Sequence, residues 1–377
     1  MRRGIIKRSI YDEDGQGNYP NEGDYNMGGY GLDAHWQNVE GIPNHKIIVY
    51  SAYYDVREDD SPVARVIAIS RTKYPDKVNC RLYFENNEGL GDKGSNPMNT
   101  NAFKKDSNLS ISVDVPGTTS FLGENNHQLF YHDCNILCPL NHFSIEQALY
   151  SKGNFVLDSL SITPHLTPFS LNDPKITNKL PVLNSRNGGT GTFPINKTDI
   201  GLCVKPIHSY YNNTLEMLEF VELNKLLGVS KFIIYNESIS DEVGCLLNYY
   251  KEEENSVTIV PYHLPYKSEI QYIPNRGVLS ALNDCIYRNM NDFHYLMQID
   301  LDEFIIPHLQ ERIPDMLEYI NYSKFAYADE LSPRQEQAVR KDGKYLADQN
   351  LITSYNFQNA FFYLGFGKNI QRRILVL

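Results

Sequence analysis

Three carboxylates within four residues, Asp300, Asp302 and Glu303, directly follow a largely apolar run over 293–299. While extended geometry lasts, alternation places Asp300 and Asp302 on the same side of the chain. Carboxylates so close repel one another, and a hard divalent cation relieves the repulsion. Oxygen ligands suit Mg2+ or Mn2+. A metal held there could bridge the diphosphate of a nucleotide and stabilise charge on a leaving group. The residues alone leave a second reading open, in which the acids cap the following segment or stay solvated in a loop. Asp-x-Asp is by itself a weak signal, since Asp12-Glu13-Asp14 also matches it. A haloacid-dehalogenase-type phosphatase would need Thr where Phe304 stands, after the first strand of its domain. Ile305-Ile306-Pro307 forbids the twelve-residue loop of an EF-hand.

The elements that must position these acids alternate. A strand over 200–206 ends at Pro206, and a helix over 215–227 follows with Thr214 as its N-cap. That helix has more apolar positions than a narrow stripe needs, so it is expected to pack on a sheet. Gly228 sits where a left-handed C′ residue belongs. A second strand over 231–235 leads to a helix capped by Ser240, with Asp241 and Glu242 in its first turn. A third strand over 257–262, a helix over 277–290 and a fourth strand over 293–299 complete the series. Such β-α alternation predicts a largely parallel sheet with right-handed crossovers, whose ligands gather beyond the carboxyl ends of the strands.

Upstream, the texture differs. Residues 1–44 hold eight of the 24 glycines and the only Trp, Trp36, without apolar periodicity, and read as a disordered or stem-like segment. Strand-like runs over 46–54, 63–69, 78–84, 110–115 and 128–132 predict a β-rich accessory domain over 45–180. A linker over 181–199 follows. Its Gly188-Gly189-Thr190-Gly191 lacks the Lys-Ser/Thr of a phosphate-binding loop.

The 377 residues carry a formal charge of −11, against the basic footprint of a nucleic-acid binder. No run reaches the length of a membrane span. Gly4-Ile5-Ile6, between Arg2-Arg3 and Lys7-Arg8, is too short for a signal-peptide core. Sequons begin at Asn108, Asn196, Asn212, Asn236 and Asn321, about the number expected by chance in so Asn-rich a chain. Six cysteines allow several pairings. His127, His132, Cys134, Cys138 and His142 cluster, but their spacing fits no tight zinc site and suits a disulfide partner among surface histidines better.

Several ordered motifs together resemble glycosyltransferase family 92. They are Ser51-Ala52-Tyr53-Tyr54-Asp55-Val56-Arg57, Cys203-Val204-Lys205-Pro206-Ile207, and Leu218-Glu219-Phe220-Val221-Glu222-Leu223. Leu227-Gly228-Val229-Ser230-Lys231-Phe232, Leu282-Asn283-Asp284-Cys285-Ile286-Tyr287-Arg288 and Asp300-Leu301-Asp302-Glu303-Phe304-Ile305-Ile306-Pro307 continue the likeness, which spans roughly 45 to 370. The resemblance implies an α/β fold of GT-A type, a Rossmann-like, mostly parallel catalytic domain over 200–377 preceded by the smaller β-rich domain. It implies a UDP-sugar donor, Mn2+ or Mg2+ at the Asp-x-Asp element, and inverting transfer of galactose to a glycan acceptor such as fucose on an N-glycan core. Carried over, Asp300 and Asp302 serve the metal and diphosphate, and Lys205, Tyr235, Asn236, Asn283, Asp284 and Arg288 become candidate donor contacts. Asp329 and Glu330 are weak candidates for the general base. The family's type II anchor and Golgi lumen imply a membrane-anchored, luminal full-length protein. This chain shows no anchor, and its 178 residues from Ile200 onward are short for such a domain, so it is expected to stop before the domain ends. A catalytically inactive nucleotide- or glycan-binding homologue is the alternative.

Overall fold

The computed structural model describes residues 35–40, 47–55, 62–72, 77–86, 110–123, 129–150, 155–165, 176–184, 200–265, 273–327 and 375–376. Asp329, Glu330, the Gly188–191 run and sequons Asn108 and Asn196 lie outside them, and nothing is described of the Asn321 side chain.

The upstream strands are β1 (Gln37–Asn38), β2 (Ile48–Asp55), β3 (Val63–Arg71), β4 (Val78–Asn86), β5 (Ser110–Phe121) and β6 (Tyr131–Pro139). After α1 (Phe143–Leu149) come β7 (Phe155–Pro164) and β8 (Leu180–Pro181). They form one antiparallel sheet in the order β1-β2-β3-β6-β5-β4-β7-β8. A bridge between Ala52 and Val182 brings β2 to the far edge, so the sheet curls onto itself. The alternate residues Ala64, Val66, Ala68, Cys134, Ile136 and Cys138 fill its interior. A disulfide between Cys80 and Cys138 ties β4 to β6.

The downstream series runs β9 (Ile200–Ile207), α2 (Thr214–Leu226), β10 (Lys231–Asn236), α3 (Asp241–Glu252), β11 (Val257–Pro261), α4 (Val278–Asn289) and β12 (Tyr295–Ile299). The four strands and three helices are those expected from the alternation. The strands are parallel and ordered β11-β10-β9-β12. The chain thus builds outward from β9 in one direction and then crosses to its other side for β12. Beyond lie β13 (Ile305–Ile306), α5 (Ile313–Tyr327) and β14 (Leu375–Val376), which pairs in parallel with β13. The molecule is therefore mixed α/β, with a large curled antiparallel sheet and a small parallel one.

Local sequence accounts for most helix ends. The Ser240 side chain accepts from Val243 N, and Gly228 adopts φ +104° after α2. At α2 the expected cap moves by one residue: Asn213 accepts from Glu216 N, and Thr214 is the first helical residue. The surplus of apolar residues on α2 sorts onto two faces. Met217, Phe220 and Val221 are buried, while Leu215, Leu218 and Leu226 remain exposed.

Helix α4 ends differently. Its N-cap, Gly277, has no side chain, and the cap comes instead from the curled sheet, where Asp133 of β6 accepts from Ser280 N at 2.9 Å. Tyr262 donates to Gly277 O at 2.5 Å. A second disulfide, Cys203–Cys285, pins α4 to β9. The helix is held between both sheets, and Asp33–Leu377 forms a single compact unit. Trp36 belongs to that unit. Although it falls in the segment expected to be stem-like, it is buried, with its ring 4.9 Å from Tyr50 and 5.6 Å from Tyr262.

Candidate functional site

Strand order in the parallel sheet reverses between β9 and β12, and in open α/β sheets the crevice beyond the carboxyl ends at such a point is where ligands bind. Val204 and Ile299 are register partners, so the next residues, Lys205 within β9 and Asp300 just past β12, stand side by side. Lys205 Nζ lies 2.6 Å from Asp300 Oδ1. Both side chains are about half exposed, at 45% and 40%. The Oδ1 atom itself has less than 1 Å² of accessible surface.

Residues 300–303 form a tight turn closed from both directions. Glu303 N donates to Asp300 O at 3.0 Å, and Asp300 N donates to Glu303 Oε2 at 3.1 Å. Glu303 thus caps the turn. Among the described residues no three His, Cys, Asp or Glu side chains converge as a metal cage. Two carboxylates at a strand end suit the other mode of Mg2+ and Mn2+ binding, in which one or two acids share the ion with substrate phosphates. Asp300 and Asp302 are a donor set that could hold a cation of that kind.

The loops after β9 and β10 are laced together beside this corner. Glu237 N and Ser238 N both donate to Ile207 O at 2.9 Å, and Tyr210 N donates to Ser238 Oγ at 3.1 Å. Ser209 and Tyr210 take left-handed φ values of 61° and 51°. Asn236 closes β10 almost fully buried, with its Oδ1 lacking a partner. That burial also makes its sequon a poor glycan acceptor, whereas Asn212 is exposed. Arg276 Nη1 donates to Glu237 Oε1 at 2.5 Å. Burial raises the Glu237 carboxyl, opposed by Arg276, and burial lowers His208, helped by Arg276. Asn275 and Arg276 are left-handed as well. Motif reading passed over Glu237, Arg276 and His208. Glu237 was legible only as the residue following a strand end, and Arg276 carried no periodic signal.

Other candidates from the sequence stand elsewhere. Asp284 is fully buried in α4. Its oxygens accept from Ser51, from Tyr53 at 2.6 Å and from Tyr235 at 2.6 Å. Arg288 adds donors at 2.9 and 3.1 Å. This cluster joins β2 of the curled sheet to β10 and α4, so the carboxylate of Asp284 and the hydroxyl of Tyr235 are occupied inside the fold rather than presented to a donor. Burial, then the charge of Asp284, pushes the Tyr53 and Tyr235 phenols upward, so both stay protonated donors. Asn283 donates to Leu279 O one turn back. Of the cysteine-histidine cluster, Cys138 is spent in a disulfide and His142 caps α1, while Cys134 and His132 are buried in β6. His127 lies outside the described residues.

The molecule is thus a mixed α/β protein whose small parallel sheet carries two acids and a lysine beside its switch point. Residues 198–368 match the family model of glycosyltransferase family 92. The β-1,4-galactosyltransferase galt-1 of Caenorhabditis elegans is 28% identical over 115 residues, covering 30% of this chain and 26% of that protein. The chain thus matches about a quarter of the length of this curated relative. A ferredoxin-NADP+ reductase of Plasmodium falciparum aligns at 12% identity over 74% of this chain and 92% of its own, with a TM-score of 0.16. The same enzyme with 2'P-AMP gives 11% identity, 75% and 93% coverage and again 0.16. At that score the likeness carries no argument.

Proposed function

We propose that this chain is the donor-binding part of a metal-dependent glycosyltransferase that moves galactose from UDP-galactose to a glycan acceptor, with inversion. The observation that supports the reading is the position of Asp300 and Asp302, just past β12 beside the switch point of the sheet, within the residues that match the family 92 model. The galactosyltransferase relative supports galactose as the sugar. Fucose on an N-glycan core is the acceptor implied by the family likeness. Asp300 and Asp302 would hold Mn2+ or Mg2+. Such an ion neutralises charge developing on a diphosphate leaving group.

The chain's own residues supply the rest. Lys205 offers an ammonium at the same corner, and the interlaced loops after β9 and β10 form a fixed floor for the nucleoside. In the reaction an acceptor oxygen attacks the anomeric carbon, the bond from that carbon to the diphosphate oxygen breaks, and a carboxylate base takes the hydroxyl proton. Asp329 and Glu330 remain the candidates for that base.

Two disulfides suit an oxidising compartment, which supports a Golgi-luminal setting. No helix among the described residues is long and apolar enough to cross a membrane.

The test is turnover of UDP-galactose with Mn2+ against fucose-bearing N-glycan acceptors, for the wild-type chain and Asp302→Asn. We expect the substitution to lower turnover by about two orders of magnitude or more, as loss of transition-state charge stabilisation does. UDP binding by a wild-type chain without turnover would instead select the inactive nucleotide-binding homologue.

A further inference from the structure

We infer that Lys205 is a charge placeholder for the acid corner, holding Asp300 until a divalent cation takes the carboxylate and the ammonium transfers to the donor's phosphates. The inference rests on the reading of Asp300 and Asp302 as a cation corner and assigns Lys205 a role in loading it.

Four observations converge. Lys205 Nζ and Asp300 Oδ1 are 2.6 Å apart and join the two strands that flank the switch point. Oδ1 has almost no accessible surface, and the ammonium is its neighbour at ion-pair distance, so a cation must compete with Lys205 for that atom. The pair is nevertheless half exposed, and an exposed ion pair adds little to stability, so the fold does not depend on it. Finally, Glu303 Oε2 already accepts from Asp300 N, which ties that oxygen to the turn.

The chemistry gives Lys205 opposite effects on two ligands. An ammonium beside Asp300 repels an incoming divalent cation and competes with it for the same oxygen. The same ammonium, on a flexible four-carbon stem with three donors, attracts phosphate oxygens. Metal alone is therefore held weakly, and metal with a nucleoside diphosphate is held well, because the diphosphate draws Lys205 away from Asp300. A residue that only braced the strand ends would not act with opposite sign on the two.

The experiment measures Mn2+ binding from the resonance of the free ion, and UDP binding by calorimetry at saturating Mn2+. It compares the wild-type chain with Lys205→Met and Lys205→Arg, each checked for an unchanged melting temperature. Lys205→Met should bind Mn2+ alone about thirty-fold more tightly, the factor expected for a unit charge and a doubly charged ion roughly 4 Å apart in a water-like medium. It should bind UDP about five-fold or more weakly. Lys205→Arg, which keeps the charge, should follow wild type on Mn2+. Equal or weaker Mn2+ binding by Lys205→Met overturns the placeholder role, and undiminished UDP binding overturns the transfer to phosphate. A wild-type chain that binds UDP but no Mn2+ overturns the cation reading and the inference with it, while leaving the donor reading intact.

Discussion

Asp284 shows how far a residue's role depends on what surrounds it. Beside Asn283 and Arg288 it looked like part of a donor contact, yet it accepts hydrogen bonds from two residues of β2, one of β10 and one of its own helix. Removing one partner of a buried ion pair leaves the other charge uncompensated, at a cost of roughly 3–5 kcal/mol. We predict a loss of that size for Asp284→Ala in urea denaturation. Tyr53→Phe, which deletes one donor to the charged carboxylate, should lose roughly 1.5–3 kcal/mol. Asp133 gives the pH prediction. Burial raises its folded pKa above the usual value, more than its bonds to Ser280 lower it. A raised carboxyl favours folding below its unfolded pKa, and that contribution is lost as pH rises through the folded value. Asn at this position keeps an oxygen for Ser280 N without the buried charge. Asp133→Asn should therefore be more stable than wild type at pH 7, by on the order of 1 kcal/mol, with the gap closing as pH falls toward 4. A gap that widens in acid would show that the charge itself serves as the helix cap.

Among the elements, α4 depends most on distant chain. Its cap comes from β6, its disulfide from β9, and its N-terminal glycine takes φ +71°. A Cβ added at Gly277 would lie 2.9 Å from Tyr262 Oη and 3.0 Å from Ile69 Cδ1. Gly277→Ala combines left-handed strain with that crowding and should cost about 2–3 kcal/mol, read as a lower melting temperature. Cys203 and Cys285 are separated by 82 residues in sequence, and chain-entropy arguments give such a closure roughly 4 kcal/mol. Cys203→Ser with Cys285→Ser should lose about 2–4 kcal/mol, and an added reductant should then lower the melting temperature less than in wild type.

At the scale of the whole molecule, the two sheets should unfold as one. Tyr50 donates to Pro261 O at 2.6 Å, Trp36 packs on Tyr262, and Asp284 and Asp133 bind across the same boundary. We predict a single denaturation transition for the full chain. A fragment beginning at Thr198 should show helix in far-ultraviolet circular dichroism without the near-ultraviolet signal of fixed tyrosines. It lacks Ser51 and Tyr53 for Asp284 and lacks the cap of α4. A fragment with native near-ultraviolet spectra would show that the curled sheet is dispensable for folding.

What the sequence determined by itself was local and periodic. The order of strands and helices from 200 to 299, the Ser240 cap, the turn at Gly228 and the acids at the end of β12 all follow from residues a few positions apart. In the β region β1, β7, β8 and the seven-residue α1 escaped it, and β6 runs over 131–139 rather than 128–132. Only the tertiary structure decided the cysteine partners, the inclusion of Trp36, the commitment of Asp284 and Arg288 to the interior, and the meeting of Lys205 with Asp300. Each joins residues far apart in sequence; Ser51 and Asp284 are separated by 233 positions. Periodicity reports which face of an element is apolar, but it carries no information about which distant polar group will stand opposite.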